Sequence, residues 1–546
     1  YEPPRQSTDL MGLQGLNRSG SISRGVLFGN NQDLSVNSTL NLELNGRLSD
    51  KIQVLASITD NNIPIQAGGN TLELQDFDQV FIKLFEEDTK RTGNLWELVA
   101  GDFVLQRPTS HFLTYLKKTK GLDYNTHLWT SDRSRSDLGA SIAISKGKFA
   151  RFQVQGIEGV QGPYRLRGND GEAFIIVLSG TERVYIDGQL LTRGQENDYV
   201  IDYNTAEVTF TARRLITKDR RISVEFQYSD KNYARSLVRL DNTTVMGRST
   251  VRFHVFSEQD HKNQSLQQQL SEEERAVLSR AGDDPLAAVV SGIDSTGFAD
   301  DQVLYLLTDS LGYDSVFVNS NDPAVAVYRL TFTQVGMGNG DYVQQEFTPN
   351  GRVFRWVAPD TVNGLIIKRG DHAPVRVLIA ARSQQVITLG VDHQFTKRTS
   401  LTLEGAFSHD DRNTFSSLDR ADDDGLGLLT RLKHEIPLGA RDTTLRLLVM
   451  AETEGITREF RPVERYRAVE FERNWNARDI PLDGDQLLAT TGVGIKGRKL
   501  GSFSYGIGTF QVRDRYAGWK QDLNSDLHIR RTDLMGTASW LSAITP

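Results

Sequence analysis

Three stretches of the chain bring together residue types that carry chemistry in other proteins. Gly492-Val493-Gly494-Ile495-Lys496-Gly497 has the spacing of a dinucleotide fingerprint. That chemistry needs a strand, a helix start and a downstream acidic residue in one βαβ unit. Here the run lies in an alternating segment that leads to a tight turn, where glycine serves curvature and close packing. Asp422, Asp423 and Asp424 share a connection with His409, Asp410 and Asp411, and offer hard oxygen ligands of the kind that hold Ca²⁺. The EF-hand spacing is absent, so these aspartates are weak metal candidates and no cofactor is expected. The nine histidines form no HExxH pair. No Gly-x-Ser-x-Gly elbow presents a serine nucleophile, and no acid, base and nucleophile stand out together, so the chain is not expected to be an enzyme.

The third stretch, residues 458–475, interleaves Arg458, Arg461, Arg465, Arg467 and Arg473 with Glu464, Glu470 and Glu472 and with Phe460, Tyr466, Phe471 and Trp475. The plain reading is a salt-bridged connection folded over or into a larger structure. The sharper reading is a partner-binding or plug element, with Arg461, Arg465, Tyr466, Phe471 and Trp475 as its candidate residues.

What must position these groups is a set of long strands. From 34 to 45, Leu34, Val36, Leu40, Leu42 and Leu44 fall on one face, and Ser35, Asn37, Thr39, Asn41, Glu43 and Asn45 on the other. Period two is the signature of a strand with one apolar and one polar face. About eleven residues is the length with which a tilted strand crosses a bilayer. The pattern returns at 52–59, 150–155, 250–255, 401–408 and 428–436. Weaker candidates lie near 78–86, 137–145, 233–244, 385–396, 444–454, 486–497, 502–513 and 528–541. Very short connections at 48–51, 145–148, 246–248, 396–398, 438–442 and 497–501 alternate with long ones near 60–76, 157–232, 259–383, 409–424, 455–485 and 514–527. Short turns at one rim and long loops at the other describe an outer-membrane barrel. Between 96 and 136 the strands cannot be placed so that the two sides stay consistent.

Composition agrees. The chain has 546 residues, 38% hydrophobic, with 47 glycines, 14 prolines and no cysteine. The absence of cysteine excludes disulfides, thiolate metal sites and thiol nucleophiles. A net charge of -7 gives no reason to expect nucleic-acid binding. The expected fold is therefore all-β: a large antiparallel transmembrane barrel with β-rich domains in its long loops. The expected division is an N-terminal extension 1–18, barrel strands 19–156, a small β-domain 157–232, a barrel hairpin 233–258, an α+β insert 259–383, and barrel strands 384–546 with the long loop 455–485. In the first insert, Asp187-Gly188 signals a hairpin. In the second, Gln264 to Arg280 looks helical, with Ser271 and Glu274 as a capping box. The last alternating segment runs to Pro546, which cannot donate to a ladder, so further strands or a partner chain are expected to close the barrel.

The stretches Arg18-Ser19-Gly20-Ser21-Ile22-Ser23-Arg24-Gly25, Ile63-Pro64-Ile65-Gln66, Leu74-Gln75-Asp76-Phe77-Asp78 and Pro462-Val463-Glu464-Arg465-Tyr466 resemble a large, poorly characterised outer-membrane barrel family of the Bacteroidota and related phyla. Gly340-Asp341-Tyr342 and Gly370-Asp371-His372-Ala373-Pro374 fit as well, although the family pattern has Tyr where His372 stands. In architecture the chain is also similar to the translocon barrel of the type 9 secretion system. The resemblance implies an outer-membrane location with extracellular domains, contact with membrane lipid, and protein partners in or on that membrane. The function expected is a non-enzymatic platform for macromolecule assembly, secretion or surface-complex formation. The alternatives are a channel or uptake porin and, last, an outer-membrane enzyme.

Overall fold

The computed structural model describes residues 16–29, 32–49, 51–61, 80–86, 95–131, 134–169, 175–229, 232–265, 270–299, 302–348, 351–362, 365–439, 445–497, 500–529 and 532–545. Two compact units form, one of 1–261 with 383–410 and 421–546, the other of 262–382 with 411–420.

The first unit holds a 17-stranded sheet among the described residues. Seven strands lead it: Leu16–Gly29, Gln32–Arg47, Ile52–Asn61, Val80–Glu86, Leu95–Gln106, Leu116–Ser131 and Ser134–Ser145. After the first insert come Tyr233–Met246 and Ser249–Ser265. After the second come Ser383–Thr396, Thr399–Asp411, Asp424–Pro437, Leu445–Ile456, Gln486–Gly497, Gly501–Val512, Tyr516–Ile529 and Thr532–Ile544. Each lies antiparallel beside the next, so the sheet is a meander. Where the chain makes its first excursion, Ser134–Ser145 and Tyr233–Met246 still pair. Among the described residues no pairing joins Leu16–Gly29 to Thr532–Ile544.

The two faces differ as a barrel in lipid requires. Outward positions are large and apolar and stand exposed: Leu122, Ile142, Ile144, Leu240, Leu389, Leu403, Leu426 and Val493. Phe395 and Phe503 lie near one edge of the sheet and Trp519 and Trp540 near the other, as interfacial aromatic girdles do. Inward positions carry Lys117, Asp123, Arg252, His254, Glu258, Glu404 and Glu454, all buried. The sheet curls around this interior. Lys117 reaches Glu258 at 2.9 Å although two whole strands separate them in the sheet. Among the described residues no helix is long and apolar enough to cross a membrane.

Strand parity sorts the connections. The short ones at 48–51, 132–133, 247–248, 397–398, 498–500 and 530–531 share one edge. Those at 62–79, 107–115, 146–232, 266–382, 412–423 and 457–485 share the other, where the short turns 30–31 and 513–515 also lie, while 87–94 and 438–444 join the first edge. The inconsistency between 96 and 136 disappears once Leu95–Gln106 and Leu116–Ser131 are recognised as two strands joined by 107–115. Gly101 marks the first of them. Its φ is +119°, and a Cβ there would stand 2.0 Å from the Val80 carbonyl oxygen, so no other residue fits.

Other expectations need correction. Ala150, Phe152 and Val154 are not in the large sheet: Lys148–Gln155 pairs with Arg221–Tyr228 inside the first insert. That insert therefore begins at 148 rather than 157, and 145–148 leads into it on the long-connection edge. The stretch 514–527 is not a loop but most of the strand Tyr516–Ile529, entered by a three-residue turn. Its inward Lys520, Asp522, Asn524 and Asp526 made it look like a solvated connection. Residues 264–265 belong to a strand, and the helix runs only from Glu272 to Ala281. The extension expected at 1–18 overlaps the first strand, and residues 1–15 lie outside the described residues.

The first insert packs its small sheets around one core in which Val184, Val208, Ile216, Ile222, Val224 and Phe226 are fully buried. Asp187 and Gly188, at φ 53° and 81°, make the tight hairpin between Arg183–Ile186 and Gln189–Leu190. The second unit has its own aromatic core of Tyr305, Phe317, Tyr342 and Phe354. Its helix is capped as the sequence indicates: Ser271 Oγ accepts from Glu274 N at 3.2 Å, and Glu274 Oε2 accepts from Ser271 N at 2.8 Å.

Candidate functional site

The residues that converge lie on the inner face of the large sheet, where two connections turn inward. In the connection 107–115, Pro108 cannot continue a ladder. The chain turns at Ser110, and Phe112, Leu113 and Tyr115 become fully buried. Glu404, buried on the inner face of Thr399–Asp411, holds this turn. Its Oε1 accepts from Ser110 Oγ at 2.6 Å, His111 N at 2.8 Å and Phe112 N at 3.1 Å. A carboxylate gathering two successive backbone N–H groups and a hydroxyl is a strong, charge-assisted arrangement. Arg252 stands 3.7 Å away and offsets part of the buried charge.

Glu454, on the inner face of Leu445–Ile456, ties the two connections together. Its Oε2 lies 2.7 Å from His111 Nε2, and its Oε1 accepts from Tyr466 OH at 3.0 Å and Arg467 Nε at 2.8 Å. Burial raises the Tyr466 hydroxyl far above its ordinary value, against the pull of Arg467, so it stays protonated as a donor. Phe112, Ala406, Leu429 and Phe460 close an apolar cluster beneath this network, with Tyr466 against it.

Connection 457–485 continues along the wall. Phe471 packs edge-on to Phe510 at 5.0 Å, Arg467 lies 4.5 Å over the Phe471 ring, and Trp475 is buried against Phe510 and Tyr516. The same connection grips the first insert. Arg465 pairs with the buried Glu225 and lies over the Tyr185 ring at 5.7 Å, and Arg221 Nε donates to Glu470 at 2.9 Å. Glu464 accepts from Leu116 N at 3.0 Å and from Arg183 Nη2 at 3.0 Å. Burial raises the Glu464 carboxyl, opposed by those donors and by Lys117.

Four of the five residues picked out in 458–475 thus belong to this arrangement. Arg461 takes no part in the carboxylate network. Its N donates to Ser408 Oγ at 3.0 Å and its guanidinium to the Arg458 carbonyl at 2.8 Å. The weak metal candidates have other surroundings. Asp424 pairs with His409 at 2.8 Å, Asp423 is buried and its carbonyl accepts from Asp410 N at 2.9 Å, and Asp422 is exposed. Gly492 and Gly494 face inward in Gln486–Gly497 with no helix after them. The acceptors Glu404, Glu454 and Glu225 escaped the sequence reading. A single carboxylate on a polar strand face carries no spacing signal. What distinguishes Glu404 is that its interior is filled by a segment nearly 300 positions away.

A family model described as "Domain of unknown function (DUF8818)" matches residues 149–230, the span of the first insert. No curated protein matches the chain. Among solved structures, "OmpT (in-vitro folded), an outer membrane protein of Vibrio cholerae" is similar at 7% identity and a TM-score of 0.24, covering 97% of this chain and 94% of that one. "The outer membrane channel DcaP of Acinetobacter baumannii" is similar at 7% identity and a TM-score of 0.23, covering 97% and 95%. "Pseudomonas Aeruginosa OpdK with Vanillate" is similar at 8% identity and a TM-score of 0.23, covering 97% of each chain. Likeness at this level bears on no residue and no activity.

Proposed function

We propose that the chain is a non-enzymatic outer-membrane β-barrel conduit whose passage is narrowed by the inward-folded connections 107–115 and 457–485, with its long connections on the extracellular side. One observation carries this reading. The inner wall is sealed and ion-paired where those connections lie against it. Beyond them, toward the short-turn edge of the last four strands, it is small, polar and open, with Gly492, Gly494, Ser502 and Ser504 half-buried and Asn524, Asp526 and His528 exposed. Apolar-out, polar-in strands with a polar interior suit passage of hydrophilic solutes. Conductance across a planar bilayer tests it. The full chain is expected to give small, discrete steps that grow several-fold in a Glu404→Gln/Glu454→Gln variant. A folded protein that conducts in neither form overturns the reading.

A second reading is the assembly platform, in line with the resemblance to large Bacteroidota barrels and the secretion translocon. It is favoured by the independently cored insert 148–229, since large structured loops generally carry function. Stable co-purification of outer-membrane or surface proteins from a mild detergent extract would support it, and a lone conducting barrel would count against it.

A further inference from the structure

We propose that the outward face of the sheet binds one molecule of a phosphorylated glycolipid of the lipid A type, with an acyl chain in an apolar groove and its phosphates at the arginines of the adjoining rim. The groove, of about 740 Å³, crosses the strands Thr399–Asp411, Asp424–Pro437 and Leu445–Ile456 near the long-connection edge. Its cause is two glycines. Gly405 pairs with Leu428, and Leu428 pairs with Gly455, so the outer surface is bare on both sides of one leucine. A Cβ added at either glycine would meet nothing within 4 Å. The walls are apolar side chains such as Leu389, Phe407 and Leu426. All of these are outward positions, where the surrounding solvent is hydrocarbon, and a groove there is filled by an acyl chain rather than by water.

The rim adds specificity. At its upper end the groove reaches Asp485, which also lines a polar hollow with Arg458, Glu459, Asp483, Arg513, Asp514 and Arg515, three arginines among four carboxylates. Arg513 lies 3.3 Å from Asp485 and Arg515 lies 3.3 Å from Asp483, and the four side chains are about half exposed or more. Phosphate oxygens suit guanidinium groups in this setting. The neighbouring carboxylates would repel a bare phosphate, so the fit requires a divalent cation bridging phosphate to Asp483, Asp485 or Asp514, a hard ion on oxygen ligands. A lipid that carries several chains and phosphates already bridged by such ions meets both halves of the site. The headgroup assignment rests on reading the long-connection edge as the extracellular one. The groove itself rests only on the outward face meeting lipid.

Native mass spectrometry of the full chain in detergent tests this, with diphosphoryl lipid A, phosphatidylethanolamine and phosphatidylglycerol as probes, each with Mg²⁺ or with EDTA. The expected result is one lipid A retained in Mg²⁺, at least tenfold more tightly than either phospholipid. Gly405→Leu/Gly455→Leu, whose Cβ atoms meet nothing within 4 Å and whose side chains enter the groove, is expected to weaken retention of lipid A at least tenfold. Arg513→Gln/Arg515→Gln, in an exposed turn, is expected to weaken it several-fold, and EDTA to do the same for the parent protein only. Undiminished retention by the folded double-leucine variant overturns the groove. Retention of either phospholipid as tightly as lipid A, or indifference to both EDTA and the arginine variant, overturns the headgroup assignment.

Discussion

The strands from Leu116–Ser131 to Leu445–Ile456 and those from Gln486–Gly497 to Thr532–Ile544 share one alternation and one direction of facing, yet their inner walls differ. In the first group the inward charges away from the short-turn edge are largely buried and matched: Lys117 with Glu258 at 2.9 Å, Arg239 with Asp123 at 3.2 Å, and His254 with Asp241 at 2.9 Å. In the last strands, where Phe471 and Trp475 do not cover them as they cover Phe510 and Tyr516 near the long-connection edge, the inward groups are short, glycine-rich or solvated, and the pair Lys520–Asp522 at 3.0 Å is partly exposed. The strands themselves do not set this difference. It follows what lies against them, because a charge covered by an inward segment must find a partner and one facing water need not.

The sharpest way to break this contrast is at its most buried pair. Lys117→Met leaves Glu258 covered and without its ion-pair partner, with only the Ser145 hydroxyl and the more distant Arg235 to offset its charge. It is expected to destabilise the barrel by about 3–5 kcal/mol, as loss of one partner of a buried pair does, while Lys117→Met/Glu258→Leu recovers most of that loss. The denaturant midpoint in detergent checks both. Next comes Glu404→Ala, which strands a hydroxyl and two backbone N–H groups. A cost of about 2–3 kcal/mol is expected from hydrogen bonds to a charged group. Its readout is hydrogen exchange, which should rise in peptides spanning 107–115 and stay unchanged in those from the last three strands. Uniform exchange would mean that the turn is held by its apolar contacts instead.

A third test moves to the insert that the sealed side grips. The Thr192 N–H and the Arg214 guanidinium hold the Asp198 carboxyl below its ordinary range. Burial raises the Asp187 carboxyl, but its bonds to Arg220 and the Arg221 backbone outweigh that and hold it low as well. Carboxylates lowered by folding stabilise the insert above the unfolded value of about 4, and that contribution is lost as pH falls through the lower folded values. Exchange protection in 183–226 should therefore fall as the pH drops below about 4, and Asp198→Asn should flatten that dependence. The smallest effect is expected on the open wall. Asp522→Asn should change stability by under about 1 kcal/mol, as exposed pairs do, yet shift the cation preference of any conductance. Equal stability losses at Asp522 and Lys117 would erase the contrast.

Much of this architecture was legible in period-two patterning. Leu42, Leu44, Val54, Ala56 and Ile58 were enough to orient the second and third strands, because a single apolar face fixes which side meets lipid. Two things hid the rest. Inward charge at period two resembles a polar loop, which concealed Tyr516–Ile529. A strand that alternates in a soluble insert resembles one that alternates in a membrane, which misplaced Lys148–Gln155. At the site, the arginines and aromatics of 458–475 stood out as a dense local cluster. Their acceptors Glu225 and Glu454 come from two different strands, and only tertiary structure assembles them.

The first insert has a kinetic meaning. Ile144 and Ser236 are paired neighbours in the large sheet, although the whole insert lies between them. Closing an unstructured loop of that length, rather than a two-residue turn, costs on the order of 3 kcal/mol more in chain entropy. The insert removes that cost when it folds, because Lys148 pairs with Tyr228 and brings its two ends side by side. It then acts as one oversized hairpin turn, delivering Ser134–Ser145 and Tyr233–Met246 to the membrane already adjacent. An assembly in which the insert folds first and the sheet around it second meets the smaller cost in chain entropy.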